Sequence, residues 1–469
     1  ISDNRLVRFQ NSLSYLLSYP HGCLEQTTSK AFPLLHFGSM ATMADAQFSA
    51  EKSPRYFATE AVKKIQRMQR SDGAFTYWEG SSSINSWSTI YASHFLVEAR
   101  KTGIDIDEAT WNNMLHHLGE LSRRDMESDD LYSGNEAATH AIYTLYVLAM
   151  AEENVLSQLN WHRDNLFDEL RPHDKARLAA AYAVLGKKEV ARDLLAKISD
   201  FGIYDKSYRY TSGSFRSNVR DMAMLLDAVV TVDPESPLIS GLVDQLAGKM
   251  QDGRWGTTQE NAFAFLAIGK AASQGAKMGG PEKVTVRLGD GTVVPFSGQL
   301  LLRTPELLKG NVRLETKGEG EIQFVWEAVG VEKEKKAIQK DRGLEVRRAY
   351  LDKDGKPVKL DEVRQGDLVV VELTMQSLNS GTVDNVAIVD LLPAGLEIEN
   401  SRLSTSAAIP WTQSTAVTDY VDIRDDRLNL YLSVGTSRKT YYYTTRAVTV
   451  GKFALPGVYA EAMYDPEIM

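Results

Sequence analysis

The apolar residues of this chain change period once, near residue 280, and that change divides it into two fold classes. Up to about residue 273 they recur at three- and four-residue steps, as at Ala141, Leu145, Leu148 and Ala149. That spacing lines one face of an α-helix. It predicts about twelve helices, near 4–18, 23–37, 54–70, 86–102, 107–123, 134–151, 154–169, 173–185, 187–198, 215–231, 236–250 and 257–273. From about residue 282 the period is two, as in Val284-Thr285-Val286-Arg287-Leu288 ahead of the Asp290-Gly291 turn. Further strands are predicted near 299–303, 311–315 and 321–327. The charged run Glu332 to Lys336 reads as a linker or a solvated strand end. Strands near 344–350, 367–375, 384–391, 419–424, 428–433, 440–449 and 457–463 then suit a β-sandwich.

A turn recurs in the helical half. Ser71-Asp72-Gly73-Ala74-Phe75 and Gln251-Asp252-Gly253-Arg254-Trp255 each place an aromatic just after an Asp-Gly turn, and Thr211-Ser212-Gly213-Ser214-Phe215 reads as a degenerate third copy. An aromatic there can plug the space between neighbouring helices. Such repeats occur in α/α toroids, where inner and outer helices alternate around a barrel. The turn resembles the Gln-x-x-Asp-Gly-x-aromatic turn of terpene cyclases.

Cys23 is the only cysteine, and Gln26 follows it at the third position. At a helix start that spacing lets the thiol reach the side-chain amide carbon, displace ammonia and close an internal thioester, an acyl group open to amines, hydroxyls and water. Tyr19-Pro20-His21-Gly22 breaks the preceding helix and Thr27-Thr28-Ser29-Lys30 continues a new one. Cys23 therefore sits at a helix N-terminus, where backbone amides favour a thiolate. The competing reading is a small buried hydrophobe, which a lone cysteine most often is.

Bulk properties narrow the choice. The chain is 43% hydrophobic and 25% charged, ordinary for a soluble globular protein. A net charge of −9 argues against a nucleic-acid binder. No apolar run is long enough to span a bilayer, and Ile1-Ser2-Asp3-Asn4-Arg5 reads as the start of a mature or excised piece. No metal site or cofactor is expected, since neither clustered histidine and cysteine nor a glycine-rich phosphate loop is present.

Several motifs in order resemble the bacterial α2-macroglobulins, thioester proteins of the α2-macroglobulin and complement superfamily. They are Gly22-Cys23-Leu24-Glu25-Gln26, Tyr77-Trp78, Trp87-Ser88-Thr89, Tyr91 to Leu96, Trp255 to Ala262, Arg446 to Thr449, Gly451-Lys452-Phe453 and Ala460 to Glu467. The resemblance implies a multidomain α plus β chain, an α/α toroid followed by β-sandwich domains. It divides the chain into a thioester domain over 1–275, part of a CUB-like β domain over 276–335 and a C-terminal macroglobulin-like sandwich over 336–469. It implies a broad protease trap rather than an enzyme, in which a protease amine attacks the Gln26 acyl group and Cys23 is released. It further implies a periplasmic, envelope-anchored lipoprotein with a peptidoglycan-synthesising penicillin-binding protein as partner, the membrane being reached only through a lipid anchor absent from this chain.

Of the remaining residues, Gly22, Leu24 and Glu25 complete the thioester loop. Leu24 is expected to pack against the toroid, and Glu25 to be solvated, to cap the helix or to tune nucleophile entry. A shielding lid is expected from Tyr19, Met463 and Tyr464, aromatic and apolar surface that excludes water; for Met463 and Tyr464, filling their own sandwich core is nearly as good a reading. Complement proteins with hydroxyl specificity use a later-loop histidine, and none here matches it; His116, His117 and His140 fall on helices and read as surface or core residues. Asp125, Glu127, Asp129 and Asp130 are expected to make an acidic loop over 123–135. The alternatives from other classes are an α/α-toroid glycosidase or cyclase, for which no pair of carboxylates stands out, and an inert interaction module.

Overall fold

The computed structural model describes residues 1–2, 9–36, 52–127, 135–199, 204–275, 283–298, 300, 302, 307, 310–318, 322–326, 339–399 and 409–469. Among them are twelve α-helices: α1 Gln10–Ser18, α2 Leu24–His36, α3 Pro54–Arg67, α4 Ser86–Lys101, α5 Glu108–Glu127, α6 Asn135–Met150, α7 Leu156–Asn165, α8 Pro172–Val184, α9 Lys188–Ala196, α10 Asn218–Val232, α11 Leu238–Gly248 and α12 Thr258–Gly275. Several starts are written in side chains. Ser53, Asn85 and Ser217 accept the backbone N–H of Tyr56, Ser88 and Arg220, capping α3, α4 and α10. Pro54 and Pro172 occupy first-turn positions that need no donor.

The even-numbered helices form a closed circuit: α2 contacts α4, then α6, α8, α10 and α12 follow in turn, and α12 returns to α2. The odd-numbered helices pack outside, α3 on α2 and α4, α7 on α6 and α8, α9 on α8 and α10, α11 on α10 and α12. This is the expected α/α toroid. Burial explains the alternation. Trp87 through Val97 on α4 are all buried, and so is most of α10, as befits helices with no face to solvent. By contrast α3 buries only Ala58, Val62 and Ile65, one stripe.

The first turns of the inner helices meet at one end. Trp87 Nε1 of α4 donates to Gln259 Oε1 of α12 at 3.1 Å, and the Arg220 guanidinium of α10 lies 4.1 Å over the Trp87 ring. Thr139 of α6 donates to Asp174 of α8 at 2.8 Å. The inner helices are therefore parallel, with their positive dipole ends on one rim. First-turn Glu25, Glu136, Asp174, Asp221 and Glu260 complement that charge.

Two copies of the repeated turn do what the sequence suggests. Gly73 has φ +84°, and a Cβ there would lie 2.1 Å from the Asn113 carbonyl oxygen, so only glycine fits. Phe75 and Trp255 are buried plugs, and the Trp255 ring stacks on Phe9 at 5.6 Å. The third copy departs from expectation. Arg209–Phe215 is grouped with the C-terminal β unit, and Phe215 stacks on Tyr464 at 4.1 Å instead of serving as a toroid plug.

By compactness the chain divides into two units, one of Ile1–Tyr208 with Arg216–Val329, the other of Arg209–Phe215 with Gly330–Met469. The first holds a small antiparallel sheet ordered β2-β1-β3, from β1 Lys283–Arg287, β2 Val293–Val294 and β3 Arg313–Lys317. The chain start joins this region: Ile1 and Leu300 exchange backbone bonds of 2.9 and 3.0 Å, and Ser2 pairs with Gln323. Leu300 and Leu302, expected in a strand near 299–303, lie outside any strand, and residues 299, 301 and 303 lie outside the described residues. So does the charged run 332–336.

The second unit is a sandwich of two four-stranded sheets, β4-β5-β10-β7 and β11-β6-β9-β8. Its strands are β4 Leu344–Leu351, β5 Leu368–Ser377, β6 Val383–Leu391, β7 Leu396–Ile398, β8 Tyr420–Arg424, β9 Arg427–Val434, β10 Lys439–Ala447 and β11 Val458–Ala462. Seven of the eight were expected. The three-residue β7 is too short for alternation to reveal. Val371, Leu373 and Met375 of β5 share a core with Val386 and Ile388 of β6 and Leu428, Leu430 and Leu432 of β9. Asp390 on β6 links the sheets, accepting from Tyr443 of β10 at 2.6 Å and from Arg348 of β4.

In the helical unit Asp221 has no side-chain exposure and accepts from Arg220 at 2.6 Å and Tyr208 at 2.9 Å. Burial alone would raise its pKa, but His173, Arg220 and Arg216 hold it well below the ordinary 3.8. A depressed folded pKa contributes stability that is full above the unfolded value and lost as pH falls through 3.8 toward the folded one. Acid titration followed by helical circular dichroism will show the unfolding midpoint falling across that window. Asp221→Asn will flatten this dependence and lower stability at neutral pH by about 3 kcal/mol or more, because the arginines lose a buried counter-charge.

Candidate functional site

The site begins where α1 stops. The Tyr19 N–H closes α1 on the Tyr15 carbonyl at 3.0 Å, and Pro20-His21-Gly22 carry the chain to α2. The Cys23 carbonyl accepts from the Thr27 N–H at 2.9 Å, the first helical bond, which makes Cys23 the N-cap. Gln26 is then the third residue of the helix. Its Oε1 accepts the Cys23 N–H at 3.2 Å, the reach-back half of a capping box. Cap geometry thus folds the Gln26 carboxamide onto Cys23, and both residues are fully buried. The Leu24 N–H donates to the Tyr77 carbonyl at 2.9 Å, and the Leu24 side chain is buried as expected.

Two lysines hold the approach loop. Lys64 Nζ of α3 donates to the Gly22 carbonyl at 2.8 Å, and Lys30 Nζ of α2 donates to the His21 carbonyl at 3.1 Å. Thr27 Oγ1 also reaches the Gly22 carbonyl, at 3.3 Å. Two ammonium charges beside a helix N-terminus favour an anionic sulfur. Sequence reading missed Lys64 because nothing at that distance in the chain marks it, and Lys30 because only its helix-opening role was considered.

Glu25 corrects an expectation. It is not solvated: its exposure is 0%. Thr258 donates to Oε2 at 2.9 Å, Gln259 Nε2 to Oε1 at 3.0 Å and Ser29 to Oε1 at 2.5 Å. Tyr91 is next, its hydroxyl 3.2 Å from Ser29 Oγ; burial, with Glu25 nearby, pushes the Tyr91 pKa well above its ordinary value. Glu25 therefore cross-links α2 to α12, across the seam that closes the toroid. The signal was in the sequence, in Trp87-Ser88-Thr89, Tyr91 and Thr258-Gln259, whose roles their spacing could not give.

Tyr19 is buried, its ring edge-on to His21 at 5.2 Å and tilted against Tyr15 at 5.4 Å. Met463 and Tyr464 are buried in the second unit, where the Met463 N–H donates to the Asn385 carbonyl at 3.0 Å. His116 is exposed, and His117 Nδ1 lies 3.0 Å from the Asp72 carbonyl oxygen. His140 stands beside Trp87, and burial pulls its pKa down to about 4. The acidic loop is shorter than expected: α5 continues through Asp125 to Glu127, while Asp129 and Asp130 lie outside the described residues.

Two family models match. Residues 2–125 match the A-macroglobulin TED domain, and residues 343–467 the bacterial alpha-2-macroglobulin MG10 domain. Alpha-2-macroglobulin of Rickettsia conorii is 25% identical over 97% of this chain and 24% of its own length. That of Escherichia coli is 26% identical over 96% of this chain and 28% of its own. The chain thus spans about a quarter of the length of these curated relatives. Among solved structures, native E. coli alpha-2-macroglobulin from domain MG7 to the C-terminus superposes with a TM-score of 0.75 at 24% identity, over 98% of this chain and 73% of that one. Salmonella alpha-2-macroglobulin reacted with methylamine gives 0.76 at 24% identity, over 98% of this chain and 30% of that one.

If Glu25 is the cross-link that closes the seam, Glu25→Ala will lower stability by about 3 kcal/mol, since three buried donors lose their acceptor. Glu25→Gln, which keeps one acceptor oxygen, will cost less. Urea unfolding of the helical signal measures both, and an unchanged midpoint in Glu25→Ala contradicts the assignment.

Proposed function

This chain belongs to the bacterial alpha-2-macroglobulin family, and we propose that Cys23 and Gln26 form an internal thioester by which the protein tethers attacking proteases. The observation that carries this reading is the reach-back of the Gln26 carboxamide to the buried N-cap Cys23, at 3.2 Å from its N–H. The Cys23 sulfur attacks Gln26 Cδ, the C–N bond breaks, and the amide nitrogen leaves as ammonia with the thiol proton. In capture, a protease amine attacks the same carbon. An amide forms, the C–S bond breaks, and Cys23 takes the proton as a free thiol. Each thioester is consumed once, which makes the protein an inhibitor rather than an enzyme. The methylamine-reacted Salmonella relative supports amine attack as the chemistry.

Until a protease is engaged, the acyl group has to be kept from water. Tyr19, already buried against His21, is the member of the proposed shield in the helical unit. Met463 and Tyr464 are its proposed members in the β unit. The periplasm, a lipid anchor to the envelope and a penicillin-binding protein as partner belong to the same proposal.

Intact mass is the direct test. The untreated protein will be lighter than its sequence by one ammonia and will gain one methylamine on treatment. Cys23→Ala will take up no methylamine and capture no protease covalently; continued capture would falsify the pairing. Gln26→Ala will also be inert but will leave Cys23 titratable. Tyr19→Gly and Tyr464→Ala will react with methylamine faster than wild type while still folded by circular dichroism, and equal rates in both variants remove the shield.

A further inference from the structure

Toward the C-terminal ends of the inner helices the toroid is not filled. A cavity of about 390 Å³ lies there, lined by residues from all six inner helices, a volume suited to a small molecule. Phe32 of α2 lines it, nine residues beyond Cys23, or about 13 Å along the helix. The cavity is thus separate from the thioester rim. Phe32, Phe263 and Leu266 give it an apolar wall, and Tyr146 adds an aromatic face.

Its charges are arranged unevenly. Asp227 takes Lys270 Nζ at 3.0 Å and Arg177 Nη2 at 3.8 Å, so two cations share one carboxylate. Arg177 is 1% exposed, and its Nε and Nη1 make no hydrogen bond among the described residues. Its guanidinium instead lies 4.4 Å from the Tyr143 ring centre and 5.2 Å from that of Tyr146. A buried guanidinium short of acceptors is costly. Burial alone would lower the Lys270 pKa, but Asp227 more than reverses it, so the ammonium stays charged. His94 adds no charge, because burial and Arg177 hold its pKa well below the ordinary range. Glu98 stands nearer the mouth, 3.9 Å from His36. Away from the mouth Arg177 and Lys270 outnumber Asp227 by one charge, Glu98 brings the whole lining to neutrality, and the two carboxylates together oppose a second anionic group.

We propose that the toroid lumen binds a small organic monoanion, a carboxylate on an apolar body, with the carboxylate at Arg177 and Lys270 and the body against Phe32 and Phe263. This site is independent of the thioester and of the trap reading.

The test titrates the full chain with 3-phenylpropionate by calorimetry and thermal shift, beside 3-phenylpropanamide, the neutral analogue of the same shape. The carboxylate will bind and raise the melting temperature, and the amide will bind at least about tenfold more weakly. Arg177→Met will lose at least about tenfold in affinity for the carboxylate. Leu266→Trp, which fills the lumen and leaves Arg177 in place, will also lose binding, while Cys23→Ala will bind as wild type does. Equal binding of amide and carboxylate, unchanged affinity in Arg177→Met, or no detectable binding of the carboxylate overturns the proposal. Should Arg177→Met fail to fold, the comparison of the two probes on the wild-type chain and Leu266→Trp decide it.

Discussion

The buried carboxylate of Glu25 is the constraint around which the helical unit is organised. A carboxylate with no solvent survives only if its oxygens are satisfied by donors. Its donors come from two directions, Ser29 on its own helix and Thr258 and Gln259 on α12. The last helix of the toroid must therefore come back to the first. Gln259 is itself fixed by Trp87 of α4, which carries Arg220 of α10 on its face. One chain of contacts runs from the residue between Cys23 and Gln26 through four of the six inner helices. The reach-back of Gln26 to Cys23 sits at its head and takes its rigidity from it.

The two ends of the barrel solve different electrostatic problems. Six parallel dipoles bring positive potential to the N-terminal rim, where Asp174 and Asp221 join Glu25 in a dense polar layer. On the proposed chemistry, that potential, with Lys30 and Lys64 on the loop carbonyls, would favour negative charge on the Cys23 sulfur and on the oxygen of a tetrahedral intermediate at Gln26. The C-terminal end has the opposite dipole sign, which favours cations. Arg177 and Lys270 line the cavity toward that end, together with Asp227 and Glu98.

Much of this was legible in the chain. The change of period placed the boundary between helices and strands, and twelve helices were read near where twelve stand among the described residues. Cys23 and Gln26 were legible because local geometry alone brings them together. The closure partners were not. Thr258 and Gln259 lie 233 and 234 residues from Glu25, and no periodicity encodes a contact across a ring seam. The same limit misplaced Glu25: its position suits an exposed helix cap, and only the return of α12 buries it. The third turn misled for a related reason. Phe215 has the spacing of a toroid plug, but the segment Arg209–Phe215 is held by the other unit, where Asn385 donates to the Thr211 carbonyl at 2.6 Å.

On the proposed chemistry, burial of Cys23 and Gln26 sets the rate as much as the reactivity of the acyl group does. An incoming amine has to reach a carbon in a site with no solvent exposure, so the approach loop, Tyr19 to Gly22, must open first. What opposes that opening is specific: the Lys64 and Lys30 bonds to its carbonyls and the contact of Tyr19 with Tyr15 of α1. None of these is part of the Glu25 network, so the loop can open without disturbing the seam that keeps the toroid closed. Local opening is available at far lower free energy than global unfolding. The division lets one helix N-terminus hold a reactive group within a rigid barrel beneath a short, separately fastened loop.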